Sequence, residues 1–187
     1  MSPASADSGA PRLAAFLRGI NLGGRRVTNE ELRAPFESLG LEDVATYRAS
    51  GNVVFTDPGG ERRAIERAIE EALASGMGFD ADAFVRGLED LRRLVDREAL
   101  ADAREEGFRP HVVFLRREPG AEALTALGEL ESPDDRFLVF GPEVVWLRRG
   151  RLSDSAIRTR HLEAALGGAG NTMRNLNTVE RIVDKFG

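Results

Sequence analysis

Hydrophobic and polar positions along the first part of the chain alternate in short blocks whose spacing predicts mixed helix and strand. Arg12 to Leu17 is a brief apolar stretch that fits a buried strand. It runs into Arg18-Gly19-Ile20-Asn21-Leu22-Gly23-Gly24, a loop by its glycines. Thr28 then starts a helix, and Glu31, three residues on, completes a capping box. Leu32, Phe36 and Leu39 give that helix an apolar face and Gly40 ends it. Val44 to Arg48 reads as a strand, Ser50-Gly51-Asn52 as a tight turn, and Val53 to Thr56 as the returning strand. After the break at Asp57-Pro58-Gly59-Gly60, Ile65, Ile69 and Leu73 recur at helical spacing. Phe79 to Arg86 is expected to be a strand, followed by a helix carrying Leu88, Leu91 and Leu94. Through Arg86 the order is βαββαβ, a split-βαβ motif.

The second half echoes the first. His111 to Arg116 predicts a strand, and Pro119 opens a helix with Leu124 and Leu127. Phe137 to Phe140 and Val144 to Leu147 predict a hairpin across Gly141-Pro142-Glu143, followed by a helix with Ile157, Leu162 and Leu166. Gly167 to Gly170 stops it. The last helix is expected to carry Met173, Leu176, Val179, Ile182, Val183 and Phe186 as one apolar stripe. The expected fold class is therefore α+β, with two ferredoxin-like (split βαβ-type) subdomains in tandem and an extra C-terminal helix. The expected divisions are a disordered tail over 1–11 and subdomains over 12–87 and 88–187.

Composition narrows the setting. With 187 residues, 42% hydrophobic and 30% charged, the chain is of ordinary globular type. Its longest apolar runs, such as Val112 to Leu115 and Phe137 to Phe140, fall far short of the roughly 20 residues a membrane span needs. The start lacks the basic and apolar regions of a secretory signal. Without cysteine there is no disulfide, thiolate metal site or cysteine nucleophile, and a cytoplasmic address is expected. Of 26 basic residues only Lys185 is lysine, a coding bias that makes no single arginine notable by its identity. The net charge of −5 argues against a general nucleic-acid binder. From Trp146 onward, however, the balance is +4, against −9 before it. A basic C-terminal region on an acidic body could favour an anionic ligand locally; scattered charge on surface helices is the simpler account.

The usual catalytic signatures are absent: no Walker loop, G-x-G-x-x-G, G-x-S-x-G or H-E-x-x-H occurs. No metal and no cofactor is implied, and His111 and His161 read as structural or surface residues. Three polar clusters remain. Arg18 to Arg26 combines glycines with arginines ahead of a helix start, the parts of an anion or phosphate cradle. Ser50-Gly51-Asn52 is complete as a hairpin turn, but in a βαββαβ sheet it should meet the end of the first strand, so Asn52 should begin where Arg18 ends. Asn171 to Thr178 holds more Asn and Thr than capping a helix needs, and Arg174 and Asn175 at a helix start could hold a carboxylate or phosphate.

These three segments resemble a bacterial family, domain of unknown function 1697, whose members carry L-R-G-I-N-x-G-G, S-G-N-V-x-F and T-x-R-N-x-N-T-V in this order. Here they are Leu17 to Gly24, Ser50 to Phe55 and Thr172 to Val179. The resemblance implies two α+β subdomains and no activity. Some relatives have Gln at Ala49, Trp at Leu176 or Thr at Met173, and if the Gln or Trp touches a ligand there, this chain lacks that contact. What carries over is a ligand site of unnamed role: Arg18, Asn21, Gly23, Gly24, Ser50, Asn52, Thr172, Arg174, Asn175, Asn177 and Thr178. Three functions stay open: a small anionic or phosphate-bearing ligand bound between the halves; an enzyme using Arg, Asn, Ser and Thr; and a nucleic-acid or protein-interaction module with Tyr47 and Phe55 on its strands. The oligomeric state is left open.

Overall fold

A computed structural model describes residues 10–21, 26–48, 51–168 and 170–187. Its elements run β1 (Arg12–Arg18), α1 (Asn29–Ser38), β2 (Ala45–Thr46), β3 (Asn52–Thr56), α2 (Arg62–Met77), β4 (Asp82–Gly87), α3 (Leu88–Val95) and α4 (Glu98–Glu105). They continue β5 (Phe108–Leu115), α5 (Ala121–Glu129), β6 (Asp135–Phe140), β7 (Glu143–Arg149), α6 (Thr159–Ala165), β8 (Asn171–Asn175) and α7 (Leu176–Phe186). The expected capping box forms at the start of α1: the Glu31 amide donates to Thr28 Oγ1, and the Thr28 amide to Glu31 Oε2.

The two sheets are antiparallel and wired alike. Their strand orders are β2-β3-β1-β4 and β6-β7-β5-β8, so each is a βαββαβ unit with its first strand in the centre. Each unit is extended by a helix that leaves its last strand directly, α3 after β4 and α7 after β8.

Period-2 alternation sorts the strand residues into two faces. On β1, Leu13, Ala15 and Leu17 pack under α1 and α2, against Leu32, Phe36 and Ile69. Ala14 and Phe16 face the other way, into a central core completed by Val112 and Phe114 of β5 and by Leu91 of α3 and Val179 of α7. Phe16 stacks on Phe114 with ring centroids 4.1 Å apart and planes 8° from parallel. Val113, Leu115 and Trp146 form a third apolar layer under α5 and α6. The halves thus share their middle core.

Four expectations need correction. The segment Asn171–Asn175 is not a helix start but strand β8, paired with β5 from His111↔Asn175 to Leu115↔Asn171. Met173 therefore stands on a strand, and α7 begins at Leu176. Ile157 precedes α6, which ends before Leu166. The second strand shrinks to Ala45–Thr46, since Asp43 and Arg48 on either side have φ of 51° and 55°, a left-handed conformation that ends a pleated run. The strand expected from Phe79 begins at Asp82, after the left-handed Gly78 that ends α2.

Candidate functional site

β1 and β3 lie side by side with Phe16 opposite Asn52, so the hairpin turn meets the end of β1 as the topology demands. Gly51 allows this closeness. Its φ is 71°, and a Cβ there would sit 3.2 Å from Leu17 Cβ and 3.3 Å from Leu17 O. The Leu17 amide donates to Gly51 O at 2.7 Å.

Arg174, on β8, reaches across from the other half into this junction. Its Nε donates to Asn52 Oδ1 at 2.6 Å, and Nη1 to Thr172 Oγ1 at 2.8 Å and Met173 O at 2.9 Å. Nη2 donates to Leu17 O at 2.8 Å and Gly51 O at 3.3 Å. The guanidinium also lies over the Phe16 ring, 5.8 Å from its centroid. Burial pushes its pKa down to about 10. A guanidinium has five N–H donors, and these five bonds employ them all. The second and third clusters therefore do meet, but around one another. Asn52 is wholly buried and its Nδ2 donates to Tyr47 O; Thr172 is buried, its Oγ1 3.5 Å from Leu17 O. Asn175 caps α7, accepting from the Asn177 amide, and Asn177 Oδ1 accepts from Arg104 Nη2 at 3.0 Å. Thr178 is half-buried in the first turn of α7. Asn21 is exposed. Gly23, Gly24 and Ser50 lie outside the described residues.

Arg18 points elsewhere, into a cleft of about 780 Å³ between the halves. Gly19, Asp82, Gly168 and Gly170 help line it, as do α2 and Arg116, the first residue beyond β5. Arg18 is ion-paired to Glu163 of α6, and both side chains are partly exposed, at 39% and 33%. Arg116 is held by Asp82 at 2.6 Å and Glu70 at 2.9 Å. Its Nη1 meets Glu70 at an angle too poor for a hydrogen bond, so that contact is electrostatic. Burial raises the Glu70 pKa, but the Ala83 amide and Arg116 outweigh it and the net shift is downward. The cleft is not positively biased: Glu70, Glu71, Asp80 and Asp82 face two arginines. The two histidines stand away from it. His111 is buried on β5 with its pKa lowered by burial, and His161 accepts from the Arg158 amide at the start of α6. Among the described residues no group of three His, Asp or Glu side chains is placed to hold a metal, and no helix is long and apolar enough to cross a membrane. Phe55 is fully buried, and Tyr47 packs edge-on against Phe186.

Sequence reasoning missed Arg116 in the cleft and the buried ion pair of Arg86 with Glu143, which joins the halves. The signal was an internal repeat. Phe16-Leu17-Arg18 recurs as Phe114-Leu115-Arg116, and Asn52-Val53-Val54-Phe55 as Glu143-Val144-Val145-Trp146. Arg86, Leu88, Arg93, Val95 and Asp96 recur in the same register as Arg174, Leu176, Arg181, Val183 and Asp184. Strand register matches these pairs: Phe16 faces Asn52 as Phe114 faces Glu143, and Ala14 faces Arg86 as Val112 faces Arg174.

A search of curated proteins found no match. Among solved structures, the chain is similar to the conserved bacterial protein SP0830 from Streptococcus pneumoniae, at 27% identity and a TM-score of 0.69, over 93% of this chain and 97% of that one. The family described as "Protein of unknown function (DUF1697)" matches residues 11–146, most of the chain. With both its sequence and its two-sheet architecture accounted for in this way, the chain belongs to the DUF1697 family.

Proposed function

We propose that the chain binds a small anionic ligand, a phosphate-bearing one included, in the cleft between its halves, with Arg18 as the primary contact. The observation that carries this reading is the difference among three arginines, Arg18, Arg116 and Arg174. Arg174 has every donor committed, and Arg116 is held by two carboxylates. Among the described residues Arg18 is tied only by a partly exposed pair with Glu163. Such a pair contributes about 0.2–1 kcal/mol, while bidentate phosphate contacts to arginine are among the stronger polar interactions. A ligand anion can therefore take Glu163's place at little cost. The four carboxylates of the lining mean that attraction is local to Arg18 rather than spread over the cleft.

The test is a thermal-shift screen of nucleotides, sugar phosphates and pyrophosphate on wild type and R18A. At least one compound should raise the wild-type midpoint and lose its effect in R18A. No shift with any compound, or equal shifts in both proteins, would sink the reading.

A further inference from the structure

The internal repeat places Arg86 and Arg174 at equivalent positions, and the three bonds of Arg86 each have a counterpart among the five of Arg174. Arg174 Nη2 donates to Leu17 O, and Arg86 Nη2 donates to Leu115 O. Arg174 Nη1 donates to the carbonyl of its predecessor Met173 at 2.9 Å, and Arg86 Nη1 to that of its predecessor Val85, also at 2.9 Å. Each Nε meets the first residue of a hairpin's second strand, Asn52 for Arg174 and Glu143 for Arg86. Each guanidinium lies over a phenylalanine, Phe16 at 5.8 Å and Phe114 at 5.7 Å. In both cases the Nη2, Nε and ring targets are in the opposite half. Arg86 belongs to the first sheet and holds the second; Arg174 belongs to the second and holds the first. Reciprocal contacts of this kind are those of an isologous interface, here within one chain.

The residue each clamp holds is the one before a cleft arginine: Leu17 precedes Arg18 and Leu115 precedes Arg116. We infer that Arg86 and Arg174 are crossed positioning residues, each supplied by one half to fix the strand end from which the other half's cleft arginine departs. A carbonyl held by a buried guanidinium fixes the peptide plane that joins it to the next residue, and with it the point from which the following side chain departs. Each half thus helps to fix the strand end that bears the other half's cleft arginine. The cleft is assembled only where the halves dock. This inference rests on the ligand reading for its purpose, but its geometry can be tested apart from any ligand.

The decisive measurement is hydrogen–deuterium exchange by mass spectrometry on the full chain. In R174M, amides of residues 17–20 should exchange about tenfold faster or more, with residues 115–117 little changed. In R86M the pattern should cross over: 115–117 faster, 17–20 little changed. If either methionine variant fails to fold, R174K and R86K, which keep the charge but lose the fork, are measured in its place. A change confined to the mutated half, or a uniform rise across the chain, overturns the inference. Pyrophosphate supplies a separate arm. If wild type shows no thermal shift with it or with any screened phosphate, the ligand reading fails, while the exchange pattern still decides whether the clamps are crossed. If the shift exists, R174K should reduce it without changing the exchange of residues 115–117; a full shift in R174K overturns the positioning role.

Discussion

The two clamps are alike in their main-chain bonds and unlike in the side chain that completes them. Arg86 meets a carboxylate, Glu143, with the two side chains only 12% and 14% exposed, and Glu66 lies 3.9 Å away. Arg174 meets the amide of Asn52, a hydroxyl and three carbonyls, all neutral acceptors. The electrostatic consequences diverge. Burial lowers the Arg174 pKa to about 10, whereas at the other clamp the shift falls on Glu143, which burial raises against the opposing pull of Arg86. The lesson is that the fork geometry, not the charge pair, is what the two sites share. A guanidinium can be buried between halves either by neutralising it or by saturating its donors, and this molecule does both.

The largest way to break the comparison is to remove the forks. R86M and R174M should each cost about 3–5 kcal/mol in urea unfolding, because both strand buried acceptors. They should differ in pH dependence. R86M leaves Glu143 as a buried carboxylate without its cation, so its folded-state pKa rises further above the unfolded value. A group raised in this way contributes stability that is present at low pH and lost as pH rises through the folded pKa. The R86M deficit should therefore shrink as pH falls from 7 toward the carboxylate range, while that of R174M stays flat. Equal pH profiles would refute the contrast.

Next in size are the hairpin glycines. G51A forces a positive φ on alanine and a 3.2 Å contact with Leu17 Cβ, and should cost about 2–3 kcal/mol. Gly141, in the matching turn with φ 62°, has nothing within 4 Å of a Cβ, so G141A should cost about 1 kcal/mol. Equal losses in thermal melts would mean that the tight approach at Leu17 carries no weight.

The smallest and most discriminating test exchanges the clamp chemistry. E143Q gives Arg86 the amide that Arg174 already uses, and should change stability by under about 1 kcal/mol at pH 7. N52D is not its mirror image, because Asn52 Nδ2 also donates to Tyr47 O at 3.1 Å. A carboxylate there would face a carbonyl, so N52D should lose about 1–2 kcal/mol despite its new charge pair. If N52D is the milder of the two, the neutral cage is not what holds Arg174.

Elements of the first half were legible because each carries its own local signal: the Thr28–Glu31 box, the Gly40 stop, the spacing of Ile65, Ile69 and Leu73. The meeting of Asn52 with the end of β1 followed from topology alone. β8 was illegible for a physical reason. Asn171 and Asn175 are poor strand formers, the polar groups of the segment resemble a helix cap, and one of its residues, Asn175, is a cap. Their polarity serves the seam between halves: Thr172 and Arg174 face the end of β1, not solvent. The missing half of the site was written in the sequence as the repeated Phe-Leu-Arg and Arg-x-Leu segments. Local periodicity cannot detect such a relation, because it reads one window at a time. The sign of the cleft was hidden as well, since the carboxylates of α2 and of the turn before β4 come from the acidic first half and fold against Arg18.

Main-chain acceptors give the clamps a further property. A carbonyl is present whatever side chain its residue carries, so Leu17, Gly51 and Leu115 offer their oxygens to the guanidinium without specifying who must occupy those places for that purpose. In these main-chain bonds each arginine is thus the sole genetically exposed member. Two related segments joined in this manner are free to diverge at Leu17 and Leu115 without loss of these bonds, while Gly51, Asn52, Thr172 and Glu143 stay specified by their own contacts.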